Sequence, residues 1–292
     1  MSKPTLGNLA LTSFDDIFNL ESHTIGDIIE APLSELNQPD NHPFLVCDDD
    51  AMTRLAESVK RYGVREPGIA RKLADGGYEL LCGNRRKRAC ELAGITSMPV
   101  IVRELTDDEA AVVMVDSNLL HRERILPSEK AWAYRIKMEA LNHSGVKGEQ
   151  QSFEVVASQT GESKNQIYRL IRLTELVDAL LNKVDARQLA FNPAVELSYL
   201  SYDEQHIVAK AMEAHEVKPS LSQAVRLKKL KQDGKLTAEV VDAILSEEKT
   251  PPKSERDGTL RFRKFFPSDY SAKQMETVIV KLLTDWQASA TA

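Results

Sequence analysis

Residues 78–89 of the chain read YELLCGNRRKRA. The residues Tyr78–Cys82 predict a strand, and Gly83 opens a basic helix that Gly94 ends. A glycine at such a junction lets the backbone approach a ligand closely, and the first turn of the helix offers unpaired amide groups to an anion. Four cations follow in the first turn and a half: Arg85, Arg86, Lys87 and Arg88. Cations at the start of a helix oppose its dipole and destabilise it unless an anion compensates them. The pattern therefore favours a phosphate-binding turn, and the alternative is a solvated basic helix face.

Short helix and strand patterns lie on both sides of this turn. A helix is predicted over Ala51–Tyr62, with Gly63 as its stop. Strands are predicted over Pro67–Lys72 and Met98–Val102. Together these elements predict a compact α+β unit within residues 24–105.

From residue 107 onwards the pattern is helical. One helix is predicted over Asp107–Leu120, and another begins at Pro127 with Ser128 as its N-cap. Further helical patterns continue to about residue 247. Residues 250–258, rich in proline, serine and charge, are typical of a linker.

The two ends of the chain differ from the central part. Residues 1–23 hold short apolar patches among polar residues, which favours a flexible tail. Thr259–Phe266 alternates like an edge strand, and Ala272–Trp286 has the pattern of an amphipathic helix. A small strand-helix segment is therefore predicted for residues 259–292.

A second binding element is predicted in residues 153–173. Phe153–Thr160 predicts a helix, Gly161 a tight turn, and Ser163–Leu173 a second helix. Ser163 and Gln166 have the S-x-x-Q spacing of a capping box. This spacing is typical of a helix-turn-helix whose second helix reads DNA, and the alternative is an ordinary surface helix with one polar face.

The polar side chains of that second helix suit base and phosphate contacts. Arg169 can pair with guanine, and Asn165 or Gln166 with adenine. Lys164 or Arg172 can contact phosphates. The full predicted DNA-binding set is Ser163, Lys164, Asn165, Gln166, Tyr168, Arg169 and Arg172. A later basic cluster, residues 226–235, is interpreted as a solvated helix face.

Three motifs in order resemble those of the ParB/RepB-type partition family. Residues 83–89 are similar to its GERRxRA box, and residues 63–67 (GVREP) to its GxxQP segment. Residues 116–131 are similar to its ENxQRxxLxPxExA segment. The resemblance covers roughly residues 24–230 and suggests a mobile-element-like member.

This resemblance implies a fold and a domain plan. The fold class is a ParB-like α+β N-terminal domain, an all-α helix-turn-helix domain and the small C-terminal strand-helix segment. The domain bounds are 1–23 for the tail, 24–120 for the nucleotide-binding domain, 121–248 for the helix-turn-helix domain, 249–258 for the linker and 259–292 for the last segment.

The resemblance also implies a site for CTP and Mg²⁺. The nucleotide-binding set comprises Gly63, Glu66, Arg71, Gly83, Asn84, Arg85, Arg86, Asn118 and Arg122, and the metal ligands are Asp116 and Asn118. Three positions depart from the family pattern. Asn84 stands where the family has glutamate, a residue linked to hydrolysis, and Glu66 replaces glutamine. The third motif has Asp116 and Asn118 separated by one residue, and Mg²⁺ prefers carboxylate oxygen.

Composition limits the classes of protein. The formal charge of -6 at pH 7 argues against indiscriminate coating of DNA, so DNA contact must be local. No stretch is apolar enough for a membrane span, and no secretory signal is evident. The three cysteines have no CxxC spacing and are expected to be reduced thiols. These features predict a cytoplasmic, nucleoid- or plasmid-associated protein.

Three functions remain open at this level. The first is a sequence-specific DNA-binding partition protein for a plasmid, a mobile element or the chromosome, acting as a CTP-gated clamp and at most a weak CTPase. Its expected partners are double-stranded DNA, a second copy and a ParA-type ATPase that engages the N-terminal tail. The second is a helix-turn-helix transcriptional regulator without clamping. The third is an enzyme, which the absence of a two-metal carboxylate or histidine cluster in the sequence disfavours.

Overall fold

A computed structural model describes residues 28–122, 124–143, 149–247, 262–267 and 269–290. The chain divides into two compact units, Met1–Leu245 and Ser246–Ala292. The predicted tail (1–23) and linker (249–258) lie outside the described residues. Within the described residues, none of the helices combines the length and apolar character that a bilayer crossing requires.

The first unit begins with a five-stranded mixed sheet. Its strands are β1 (Ile28–Pro32), β2 (Leu36–Asn37), β3 (Gly68–Lys72), β4 (Tyr78–Cys82) and β5 (Ser97–Arg103). The strand order is β1-β5-β3-β4-β2, and the β3/β5 and β4/β2 pairs are parallel while β1/β5 and β3/β4 are antiparallel. The strands predicted around β3, β4 and β5 are confirmed, whereas β1 and β2 were not predicted.

Twelve α-helices are described. In the first unit they are α1 (Asp50–Tyr62), α2 (Asn84–Ala93), α3 (Asp107–His121), α4 (Pro127–His143), α5 (Glu149–Thr160), α6 (Lys164–Arg172), α7 (Asp178–Asp185), α8 (Phe191–Leu197), α9 (Tyr202–Ala214), α10 (Leu221–Gln232) and α11 (Ala238–Ser246, which ends one residue into the second unit). In the second unit, α12 spans Ala272–Ala290. The prediction of an α+β N-terminal part followed by a mostly helical remainder is confirmed.

The two faces of the sheet carry different cores, as the two-residue period of a strand requires. Ala70 and Leu80 belong to the core that also holds residues of α1 and α2. Ile69 and Leu81 belong to a second core that holds residues of α3 and α4 and the buried Phe44. The sheet thus places β4, and the turn that follows it, between two helical layers.

The start of α4 differs from the prediction. Pro127 is the first helical residue, so Ser128 lies inside the helix and is not its N-cap. Ser128 instead uses its backbone amide to bond Asp185 at 3.0 Å. Glu129 accepts the backbone amide of Leu126 at 2.9 Å and so satisfies one group at the helix start.

The predicted strand at Thr259–Phe266 is wrong for its described part. Arg263–Phe265 forms a turn of 3-10 helix, and the amide of Phe266 donates to the carbonyl of Arg263 at 3.2 Å. A strand needs a partner for its backbone groups, and all the strands described in this structure lie in the first unit. The predicted helix from Ala272 is confirmed as α12.

Candidate nucleotide and nucleic-acid sites

Gly83 is the residue on which the predicted phosphate turn depends. It is the N-cap of α2 with φ of 112° and makes no side-chain cap. A Cβ at this position would lie 3.2 Å from the Cα of Gly68 on the neighbouring strand. A side chain at position 83 would therefore strain the backbone and displace its neighbour slightly. Because glycine has no side chain, the first amides of α2 carry no side-chain cap from the N-cap position.

The four cations of α2 have different environments. Arg85 is one-third exposed, and its nearest carboxylate oxygen, on Asp49, is 3.9 Å away. Arg86 donates to the carbonyls of Glu66 and Pro67, the latter at 2.7 Å. Lys87 donates to the carbonyl of Leu36, while Arg88 pairs with Asp48 and Glu91. Of the three arginines, Arg85 is the one whose described contact with a protein oxygen is longest.

Arg122 approaches the same turn from the end of α3. Its guanidinium donates to the carbonyl of Leu45 at 3.0 Å, pairs with Glu129 at 3.2 Å and lies 5.0 Å from the centre of the Phe44 ring. Burial lowers the pKa of Arg122; the carboxylate of Glu129 opposes that change, and the charge of Arg85 adds to it. Two guanidinium groups therefore act on each other at this site.

The thiol of Cys82 lies close enough to Arg86 and Arg122 to be affected by both charges. Burial raises the pKa of its thiol, and the charges of Arg86 and Arg122 oppose that rise. Arg86 donates to the Sγ atom at 3.6 Å. Positive charges from α2 and from the end of α3 thus lie around Cys82. Their mutual repulsion destabilises the folded protein unless an anion compensates them.

A segment that sequence reasoning did not identify lines this site. His42 and Phe44, in the connection between β2 and α1, have rings 5.6 Å apart in an edge-to-face arrangement. The Nδ2 atom of Asn84 bonds the Nε2 atom of His42 at 3.1 Å. Asn84 is buried, and the same amide donates to the carbonyl of Leu80. The contact between His42 and Asn84 joins residues 42 positions apart, so no local pattern could have revealed it.

The two predicted metal ligands do not come together. Asn118 uses Nδ2 to donate to the carbonyls of Leu81 and Met114, at 3.2 and 2.8 Å. Asp116 forms an ion pair with the fully buried Lys137. Residues two apart on a helix point in nearly opposite directions, so Asp116 cannot join Asn118 at one ion. No cluster of three histidine, cysteine or acidic side chains suited to a metal is present in the part of the chain that the structure describes.

The structure does not bring together three further residues that were predicted to contact the nucleotide, Gly63, Glu66 and Arg71. Gly63 ends α1 with φ of 72°. Glu66 contributes its carbonyl to Arg86. Arg71 is held by Glu79 and Asp107, and Glu79 lies four residues, or about 13 Å, along β4 from Gly83. The structure therefore separates Arg71 from the phosphate turn.

The helices α5 and α6 lie where the sequence predicted two helices joined by a turn. Gly161 has φ of 71° in the turn between them, and Ser163 caps α6 by accepting the amide of Gln166. Ile167 and Leu170 are buried, while Tyr168 is 44% exposed. The separation of an apolar and a polar face on α6 is confirmed.

The two arginines of α6 also contact α8 and the residues that follow it. Arg169 donates to Asn192 at 2.5 Å and lies 5.1 Å from the centre of the Phe191 ring. Arg172 donates to the carbonyl of Ser198 at 2.6 Å and stacks 4.3 Å from the centre of the Tyr199 ring. Arg172 therefore ties α6 to the end of α8.

Helix α10 places two lysines against Tyr199, the residue that Arg172 also contacts. Lys228 pairs with Glu196 at 2.9 Å and lies 3.6 Å from the centre of the Tyr199 ring that Arg172 also covers. Lys231 donates to the Tyr199 carbonyl. These contacts place part of the later basic cluster beside α6, a proximity that helical periodicity could not show.

Comparison with known proteins identifies the family to which the chain belongs. Residues 19–119 match the model of the ParB N-terminal domain. A probable chromosome-partitioning protein ParB of Pseudomonas putida is 30% identical over 216 residues, which cover 70% of each chain. The chain belongs to the ParB family. A nucleoid occlusion protein of Listeria monocytogenes is 28% identical over 205 residues, covering 70% of this chain and 68% of that protein.

Two solved structures of C-terminally truncated ParB from Caulobacter crescentus are also similar. The one complexed to the centromeric parS site has 21% identity and a TM-score of 0.42, and covers 74% of this chain and 98% of that one. The one complexed with CTP-gamma-S has 25% identity and a TM-score of 0.31, and covers 64% of this chain and 99% of that one.

Proposed function

We propose that this chain is a DNA-binding partition protein whose N-terminal domain binds CTP with Mg²⁺ and closes a dimer around DNA. The observation that carries the nucleotide part is the meeting of Arg85, Arg86 and Arg122 around the Gly83 turn. Such a set of like charges at an uncapped helix start is stabilised by a polyphosphate. The solved relatives in complex with parS and with CTP-gamma-S make these ligands the first to test.

The side chains suggest a division of labour at the nucleotide. The first amides of α2, together with Arg85 and Arg122, hold phosphate oxygens. Arg86 positions the Glu66 and Pro67 carbonyls. The Oδ1 atom of Asn118 is its remaining acceptor towards a metal, because both of its described bonds use Nδ2. Mg²⁺, when bound, neutralises phosphate charge.

The DNA-binding part rests on α5 and α6. We assign them as the helix-turn-helix, with α6 as the recognition helix, in a domain that spans residues 121–248. The exposed side chains of Lys164, Asn165 and Tyr168 lie on the polar face, opposite the buried Ile167. Lys228 and Lys231, beside α6, add positive charge for phosphate contacts.

A second copy is proposed from exposed apolar residues in each unit. Leu45, Leu120 and Leu126 are 59, 62 and 38% exposed in the first unit. The backbones of Leu45 and Leu126 also bond Glu129. In α12, exposed apolar side chains recur at helical spacing: Val280, Leu283 and Trp286, which are 56, 59 and 68% exposed. A clamp that closes around DNA would bury the first set, and a permanent dimer the second.

Two partner assignments stay predictions. The contact between the N-terminal tail and a ParA-type ATPase involves residues 1–23, which lie outside the described part. Association with the nucleoid or a plasmid follows from the proposed DNA binding and is tested with it.

Replacing Arg85 tests the nucleotide site. In titration calorimetry with Mg²⁺, wild-type protein is expected to bind CTP in preference to ATP, GTP and UTP. Arg85→Ala should weaken CTP binding about tenfold or more, because a charge-assisted hydrogen bond is worth about 1.5–3 kcal/mol. Arg88→Ala is the matched control, since Arg88 lies on the same helix but pairs with Asp48 and Glu91. Equal binding of all nucleotides, or of none, would overturn the proposal and leave the regulator without clamping.

Replacing Arg169 tests the recognition helix. The DNA site is first recovered by immunoprecipitation and sequencing, in which a broad peak supports clamping and sharp promoter peaks support a regulator. In gel shifts on that site, Arg169→Ala should reduce selectivity, with a loss of about 1–3 kcal/mol at its base pair. Lys164→Ala should instead weaken binding to all DNA by a similar factor. If neither variant changes affinity, α6 is not the recognition helix.

A further inference from the structure

Residues 42–49, which we call the 42–49 segment, form the later part of the connection between β2 and α1 and line the proposed nucleotide site. The segment is anchored at two points. At Leu45, the backbone amide donates to Glu129 at 2.7 Å, and the carbonyl accepts from Arg122. At His42, the ring bonds Asn84. Between the anchors, Phe44 is fully buried under the Arg122 guanidinium.

The hydrogen bonds of His42 specify one form of its ring. The Nδ1 atom lies 3.0 Å from the Phe44 carbonyl, which can only accept, so Nδ1 carries the proton. The amide nitrogen of Asn84 can only donate, so Nε2 presents its lone pair. The ring is therefore the neutral Nδ1–H tautomer.

The surroundings of His42 favour the same neutral form. Burial lowers its pKa from 6.5 to about 4; the bond to the Phe44 carbonyl opposes this change, and the charge of Arg122 adds to it. The carboxylates of the segment and its neighbours are engaged elsewhere: Asp48 pairs with Arg88, Asp49 caps α1, and Glu129 pairs with Arg122.

We propose that neutral His42 and the amide of Asn84 form a positioning pair that holds the 42–49 segment, and through it Arg122, in place for the nucleotide phosphates. This inference rests on the proposed function of the site. The amide is required because a carboxylate at position 84 could not donate to Nε2 and would face the Leu80 carbonyl, at 3.3 Å from the present nitrogen. Asn84, the second residue of the box at 83–89, thus organises the site through contacts within the protein.

The pair has a defined pH range. Because the pKa of His42 is below 6.5 in the folded protein, the unfolded chain takes up a proton between pH 6.5 and about 4 that the folded chain does not. The contribution of the pair is complete above pH 6.5 and is lost as the pH falls towards 4.

Two readouts separate this inference from nucleotide binding itself. Nitrogen-15 NMR of the histidine rings reports the tautomer and pKa of His42 in the free protein, with the signal assigned by its loss in His42→Gln. Hydrogen exchange measures the order of the 42–49 segment, also without nucleotide. Calorimetry with CTP then measures the effect on the site.

Three variants have distinct expected results. At pH 8, His42→Ala should speed exchange in the segment and weaken CTP binding about tenfold, as expected for a lost buried hydrogen bond. His42→Gln should bind within about threefold of wild type, because its amide can accept from Asn84 and donate to Phe44. Asn84→Asp should raise the His42 pKa, weaken CTP binding about tenfold at pH 8 and recover much of it at pH 5.5, where a protonated ring can donate to the new carboxylate.

Several outcomes would overturn the pair. They are a wild-type ring that is protonated or carries its proton on Nε2, a His42→Ala variant with unchanged exchange, or an Asn84→Asp defect that is the same at both pH values. If wild type binds no CTP, the proposed function fails, while NMR and exchange still decide whether the pair holds the segment. If Asn84→Asp does not fold, the comparison of His42→Ala with His42→Gln decides.

Discussion

Asp116→Ala is expected to lower the free energy of unfolding by about 3–5 kcal/mol, because it leaves a buried ammonium group without its counter-charge. Lys137 is fully buried in α4, and the Asp116 carboxylate on α3 is its ion-pair partner. Urea denaturation followed by circular dichroism measures the change as a shift of the midpoint. The effect is large because the charge of Lys137 cannot reach water when the pair is broken.

Two controls test whether the loss of stability comes from leaving a buried charge unpaired or from losing an ion pair in general. Glu139→Ala removes one partner of an exposed pair on the same helix, Arg135–Glu139 at 3.1 Å, and should cost less than about 0.5 kcal/mol. The double variant Asp116→Leu with Lys137→Met removes both buried charges and should recover most of the lost stability. A loss in Asp116→Ala no greater than that in Glu139→Ala would show that the pair is not buried as described.

The ion pair also shows where one predicted metal ligand lies in the structure. Asp116 was a candidate metal ligand because carboxylates suit Mg²⁺ and the residue lies in a family motif. Its spacing from Asn118 already placed the two on nearly opposite sides of a helix. What the sequence could not show was Lys137, whose contact with Asp116 exists only after α3 and α4 pack together.

Local patterns predicted the centre of the fold well. The strand Tyr78–Cys82, the Gly83 turn and the helix that Gly94 ends were all found where the sequence placed them, because each is set by neighbouring residues. The strands β1 and β2 escaped prediction, since β1 ends in Pro32 and β2 has two residues, too few for any periodicity.

The residues of the candidate site likewise fall into two groups, those that local sequence predicts and those that only long-range contacts bring to the site. Gly83 and Arg85 were predicted from residues that adjoin one another, whereas His42 and Leu45 reach the site through contacts that span about 40 and 80 positions. The sequence could not show that Arg71 forms ion pairs with Glu79 and Asp107, because these contacts exist only in the folded chain. Long-range pairing therefore decided which charged residues face a ligand and which stabilise the fold.

Gly83→Ala is expected to lower the free energy of unfolding by about 2–3 kcal/mol, because a side chain at φ of 112° is strained. The new Cβ would also press on Gly68 at 3.2 Å, so either β3 or the start of α2 must shift. A shift of α2 moves its first amides and Arg85 away from bound phosphates. CTP binding should therefore fall at least about tenfold, measured by calorimetry on protein shown to be folded.

Gly94→Ala is the control that separates the effect of backbone strain in α2 from the effect of disturbing the phosphate site at Gly83. Gly94 ends the same helix with φ of 74°, and a Cβ there meets nothing within 4 Å. This variant should cost roughly 1–2 kcal/mol of stability from its left-handed backbone and leave CTP affinity unchanged. If both variants lose CTP binding equally, the loss reflects a loosened helix, and the close approach at Gly83 does not create the site. A loss confined to Gly83→Ala places the phosphates at the start of α2, where the amides, Arg85 and Arg122 can act on them together.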